Sequence, residues 1–139
     1  MATDASRLAG RSPIGLADEA IGARRVLVVE DDDAKWELLA DLVSDAGYTV
    51  TVLNSALGMH EAVQRLRPVA VLLDLGLPYR SGIALLEELR GDPATATLPV
   101  IVISALTDFL PPDRAALATA VMSKSFDTDM LLELLETVA

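Results

Sequence analysis

Four acids in a row, Glu30-Asp31-Asp32-Asp33, follow the apolar run Val26-Leu27-Val28-Val29. Asp74 follows Val69-Ala70-Val71-Leu72-Leu73, Ser104 follows Val100-Ile101-Val102-Ile103, and Lys124 follows Val121-Met122-Ser123. If the four runs are strands of one parallel sheet, a carboxylate cluster, a hydroxyl and an ammonium emerge at the same sheet end. Close carboxylates repel and raise one another's pKa unless a cation intervenes. Mg²⁺ suits such a place, because it takes a few carboxylates and keeps positions for water and phosphate oxygens. Asp31, Asp74 and one backbone carbonyl would fill half of its octahedron. An aspartate can then act as nucleophile toward phosphorus and form an aspartyl phosphate. Mg²⁺, Lys124 and the Ser104 hydroxyl would hold the phosphoryl oxygens.

Each residue also has a plainer reading. Acids are welcome at a helix N-terminus, which accounts for one or two of the four after the first run. Asp74 could cap a loop, Ser104 could bond its own backbone, and Lys124 could be a surface lysine. His60, the one histidine, reads as a solvated helical residue. The phosphoryl chemistry rests on the joint placement of these residues and on none of them singly.

The elements that must position them alternate regularly. Short all-apolar runs are what strands buried on both faces look like: Val26–Val29, Thr49–Leu53, Val69–Leu73, Val100–Ile103 and Val121–Ser123. Between them lie helical stretches. Asp32 or Asp33 can cap the first, whose Leu38, Leu39, Leu42, Val43 and Ala46 recur at helical spacing before Gly47. A second spans Leu57–Leu66, ended by Pro68, and a third Gly82–Arg90. A fourth opens at Pro111-Pro112 and runs to about Ala120. The fifth is capped by Asp127 and runs through Thr137. The pattern is α/β, with a parallel sheet sandwiched by helices and right-handed crossovers. Function in such sheets sits at the carboxyl ends of the strands.

Composition bounds the rest. The 139 residues suit one domain. The absence of cysteine excludes disulfides, cysteine-ligated zinc and thiol catalysis. A net charge of −10 argues against direct nucleic-acid binding through a basic face. No apolar run reaches the length of a membrane span, so a cytoplasmic location is expected. Residues 1–24 are rich in Ala, Gly, Ser and Arg and read as a flexible tail, leaving 25–139 as the folded body.

With these residues in view, the chain resembles the receiver domains of bacterial two-component response regulators, across about Val26 to Val138. Val26-Leu27-Val28-Val29-Glu30-Asp31-Asp32 is similar to that family's first strand and acidic pair. Leu72-Leu73-Asp74-Leu75-Gly76-Leu77-Pro78 is similar to its phosphorylation strand and loop, with Gly82 as the glycine that follows. Asp92-Pro93-Ala94-Thr95 and Leu98 to Ala105 also fit. The resemblance implies a flavodoxin-like three-layer sandwich with strand order 2-1-3-4-5. It implies Asp74 as phosphoacceptor, Asp31 as principal metal carboxylate, Glu30 acting on the metal or its water, and the Gly76 carbonyl as a further ligand. Ser104 and Lys124 would contact the phosphoryl group. The implied partners are a sensor histidine kinase or histidine phosphotransfer protein and a downstream protein, with homodimerisation allowed. Beyond self-phosphorylation and autodephosphorylation no enzymatic activity is expected.

Three departures from the family pattern bear on the output. Val121 stands where an aromatic residue is usual, Ser125 replaces the proline after the lysine, and the stretch from Ser104 to Lys124 is slightly short. A cis bond before Ser125 would cost roughly 2.5–4 kcal/mol, so a trans Lys124–Ser125 bond is expected, and Phe109, the nearest large candidate by sequence, is expected to close the volume left by Val121. Two alternatives are a haloacid-dehalogenase-like phosphatase, with Asp31 and Asp33 as its paired acids, and a pseudo-receiver that binds partners without phosphorylation.

Overall fold

The computed structural model describes residues 24–55, 57–76, 81–104, 110–123 and 126–139. The elements alternate without exception: β1 (Arg25–Val29), α1 (Asp33–Asp45), β2 (Thr49–Leu53), α2 (Met59–Leu66), β3 (Ala70–Leu73), α3 (Gly82–Gly91), β4 (Val100–Ile103), α4 (Pro112–Ala115), β5 (Ala120–Met122) and α5 (Thr128–Val138). All strand pairs are parallel and their order is β2-β1-β3-β4-β5. This is the α/β architecture and strand order expected from the sequence.

The apolar runs are continuous because the sheet is covered on both faces. Leu27, Val29, Val71, Leu73, Val100 and Val102 face one way, against Val63 of α2 and Leu85, Leu86 and Leu89 of α3. Their neighbours in sequence, Val26, Val28, Leu72 and Ile101, face the other way, against Leu39 and Val43 of α1 and Leu131 and Leu135 of α5. Alternation along a strand thus feeds two cores from one run. The register is tight across the middle, with Val28 beside Leu72 and Leu72 beside Ile101.

Helix ends follow local chemistry. Asp32 caps α1, its Oδ1 accepting the Lys35 N–H at 3.1 Å. Ser81 caps α3 through the Ala84 N–H, and Asp127 caps α5 through the Asp129 N–H at 2.8 Å. Each side chain satisfies a donor that the first helical turn leaves open.

Two helices are shorter than the sequence pattern predicts. α2 begins at Met59, not Leu57, because Gly58 adopts a left-handed φ of 78° that breaks the helix, leaving Leu57 exposed. α4 ends at Ala115 and does not run to Ala120. Past it the Leu117 and Ala118 N–H groups make tight three-residue turns onto Arg114 and Ala115. Thr119 is then claimed by the sheet: its N–H donates to the Val100 carbonyl and its hydroxyl accepts the Val100 N–H. β5 therefore starts at Ala120, one residue earlier than expected. Among the described residues no helix is long and apolar enough to cross a membrane. The predicted tail, apart from Arg24, lies outside the described residues.

Candidate functional site at the strand ends

The carboxyl ends of β1 and β3 meet through the ladder. Val29 pairs with Leu73, and the Asp74 N–H donates to the Val29 carbonyl at 3.0 Å. Glu30 is held on its other side, where its N–H donates to Leu53 of β2. Glu30 and Asp74 are therefore side by side, at 2% and 8% exposure, with Asp31 exposed next to them. One carboxylate oxygen from each of Glu30, Asp31 and Asp74 lies within 4.8 Å of the others. Oxygens this close are suited to share one hard cation.

The remaining two acids of the run are engaged elsewhere. Asp32 is the α1 cap. Asp33, in the first turn, accepts the Trp36 indole N–H at 3.0 Å. The helix N-terminus thus accounts for Asp32 and Asp33, while Glu30 and Asp31 turn toward Asp74. The Glu30 carboxylate also accepts the Asp32 N–H at 3.3 Å, which ties the loop back over the cluster.

On the other side of Asp74 lies the end of β4. Ser104, 1% exposed, is anchored by its own N–H to Met122 of β5. Gly76 follows Asp74 by two residues, and its N–H approaches Asp74 Oδ1 at 3.4 Å. Lys124, Ser125 and Phe109 lie outside the described residues, and with them the expected trans peptide and the expected replacement for the aromatic. Val121 is described: it sits on the three-residue edge strand and is 37% exposed.

Gly82 has a steric reason to be glycine. Its N–H donates to the Leu75 carbonyl at 2.8 Å. A Cβ there would lie 2.6 Å from both the Asp74 carbonyl oxygen and the Leu75 Cα. The first turn of α3 rests directly on the backbone that carries Asp74.

The sequence reading missed several polar contacts. His60 is not simply solvated: its Nε2 lies 2.9 Å from Asp92 Oδ2, which also accepts from Gln64. The Ala94 N–H, then His60, holds the Asp92 carboxyl below its usual pKa. Arg90 donates to four backbone carbonyls, and Glu87 pairs with Arg114 at 2.7 Å. These partners are up to 32 residues apart, so no local signal in the sequence announces them.

A parallel five-stranded sheet in this order, with acids gathered at the ends of β1 and β3, is a doubly wound α/β fold whose candidate site lies at the carboxyl ends of the strands. Residues 26–136 match the family model of the response regulator receiver domain. The chain belongs to that family, the receiver domains of two-component signalling. It is 38% identical over 81 residues to the transcriptional regulatory protein KdpE of Staphylococcus aureus, covering 58% of this chain and 34% of that protein. This chain thus matches about a third of the length of that relative. Two solved structures superpose with a TM-score of 0.75. One is a sensor protein from Polaromonas sp. JS666, at 29% identity over 82% of this chain and 94% of that one. The other is a CheY-like response regulator receiver domain from Methylobacillus flagellatus, at 26% identity over 85% and 100%. The family match sets aside the phosphatase alternative, whose second acid, Asp33, is bound to Trp36.

Proposed function

We propose that this receiver accepts a phosphoryl group on Asp74, with Mg²⁺ held by Glu30, Asp31, Asp74 and the Gly76 carbonyl, and changes its protein contacts in response. The observation that carries the reading is the convergence of the Glu30, Asp31 and Asp74 carboxylates at the ends of two paired strands. An Asp74 oxygen attacks phosphorus, the P–N bond of a donor phosphohistidine breaks, and its electron pair returns to the imidazole nitrogen. The product is a mixed anhydride on Asp74. The cation supplies neutralisation of the charge that builds on the phosphoryl oxygens. Ser104 is assigned to one of them and Lys124 to another. The donor is a histidine kinase or a histidine phosphotransfer protein. The receiver body is assigned to residues 25–139, and Arg24 is joined to it where its carbonyl accepts the Thr49 N–H.

The test is mass spectrometry of the intact chain after incubation with acetyl phosphate and Mg²⁺. One added phosphoryl mass is expected, and none for Asp74→Asn, whose amide keeps the shape but is a far weaker nucleophile. The same added mass on Asp74→Asn would overturn the assignment.

A further inference from the structure

The family's usual route from the phosphorylation site to the output face runs through an aromatic residue on β5, and this chain has Val121 there. The described contacts offer another route. The N-terminal end of α3 touches the site, since Gly82 packs on the Asp74 and Leu75 backbone with no room for a Cβ. Its C-terminal half grips the segment between α4 and β5. Arg90 Nε donates to the Leu117 carbonyl at 2.8 Å, and its Nη1 donates to the Thr95, Ala96 and Leu98 carbonyls. One turn earlier on the helix, Glu87 Oε2 meets Arg114 Nη1 of α4 at 2.7 Å. Residues three apart share a helix face, so both grips point at the same segment. Leu117 and Ala118, between them and β5, pack against the core that also contains Leu85, Leu86 and Leu89 of α3.

We propose that α3 is the lever of this receiver: it transmits the change of state at Asp74 to the α4–β5 connection through Arg90 and Glu87. The proposal rests on Asp74 as the phosphoacceptor. A continuous helix is stiff over ten residues, so a shift of its first turn against Asp74 reaches Arg90 undiminished. Packed cores respond by switching between arrangements rather than by stretching. A guanidinium bonded to carbonyls on both sides of it, those of Thr95, Ala96 and Leu98 and that of Leu117, ties β4's entry and β5's entry to the same helix end. The output surface then moves with α3, without an aromatic at position 121.

Amide hydrogen exchange on the full chain, with Mg²⁺ and beryllofluoride as the phosphoryl mimic, tests this. The reporters are the Ala116, Leu117 and Ala118 amides, bonded to Pro112, Arg114 and Ala115. The Gly76 and Gly82 amides report loading of the site itself. In the native chain, exchange at the three reporters should change by about fivefold or more, the lower end of ordinary coupling between sites. Arg90→Ala and Glu87→Lys should reduce that response to less than about twofold while the site amides still respond fully. The swap Glu87→Lys with Arg114→Glu should restore the response. The Glu87–Arg114 pair is exposed and adds little to stability, so these arms decide even if Arg90→Ala fails to fold. A native-like response in Glu87→Lys, or in a folded Arg90→Ala, would overturn the lever. Site amides that respond in the native chain while residues 116–118 do not would also overturn it and leave Asp74 standing. Site amides silent to the mimic would remove the Asp74 reading, and the lever with it.

Discussion

Gly82 and Gly91 bound the same helix, yet they differ in what they permit. A Cβ on Gly82 meets backbone atoms at 2.6 Å, and backbone cannot swing aside as a side chain can. A Cβ on Gly91 meets nothing within 4 Å. Gly82→Ala should therefore cost roughly 1–3 kcal/mol, as overpacking does, and should displace Asp74. Gly91→Ala should be neutral or stabilising by about 0.4–1 kcal/mol. Urea denaturation of both variants checks the contrast, and equal midpoints would contradict the packing of α3 on Asp74. The acids divide in the same local way. Asp32 and Asp33 serve the helix and the indole, and Glu30, Asp31 and Asp74 are drawn together by the register of two strands.

At the scale of elements, α2 and α3 share an apolar core and, beside it, a partly exposed polar contact. His60 and Gln64 of α2 reach across to Asp92, the residue that caps the C-terminus of α3. Asp92 is anchored first by the Ala94 N–H and then by His60, and its pKa is lowered from the ordinary 3.8. A carboxyl whose folded pKa is depressed stabilises the fold above its unfolded pKa and loses that contribution as pH falls through the folded value. The stabilising effect of Asp92 should be fully present at neutral pH and fade below pH 3.8. Asp92→Asn should lower the urea midpoint at pH 7, and its deficit against the native chain should shrink as the pH drops below that value. A deficit independent of pH would mean that the charge is irrelevant. The shortened α4 belongs at this scale too. Its alanine-rich sequence favours helix locally, but the paired bonds between Thr119 and Val100 pull the chain into the sheet, and tertiary contacts override propensity.

For the molecule as a whole, the cation binding proposed at the site would link folding to Mg²⁺. Acids clustered at one sheet end repel in the folded state, and a bound cation that the unfolded chain cannot hold removes that repulsion. Mg²⁺ at a hundredfold above its Kd should stabilise the chain by about 2.7 kcal/mol. Asp31→Asn should lose most of that increment, as read by thermal denaturation with and without Mg²⁺. An increment unchanged in Asp31→Asn would place the cation elsewhere. Trp36 offers a second readout, since its indole N–H is bonded to Asp33, two residues from Asp31.

The sequence by itself determined the architecture and the strand ends at which the acids gather. Strands buried on both faces must be continuously apolar, and such runs alternating with amphipathic stretches admit a parallel sheet covered by helices. Because the runs end at Glu30, Asp74 and Ser104, their side chains had to emerge at one edge. The residue pattern leaves open which acids of the run face Asp74; the family resemblance implies Glu30 and Asp31, and the tertiary structure brings one carboxylate oxygen of each near Asp74. That placement depends on the helix cap at Asp32 and on pairing with β3, a strand some forty residues away. The tertiary structure alone decided where α2 begins and α4 ends, through a left-handed Gly58 and a threonine claimed by β4. It alone joined His60 to Asp92, Arg90 to Leu117 and Glu87 to Arg114. Periodicity records which face of an element is buried; the partner of a polar side chain is set by the packing of elements distant in sequence.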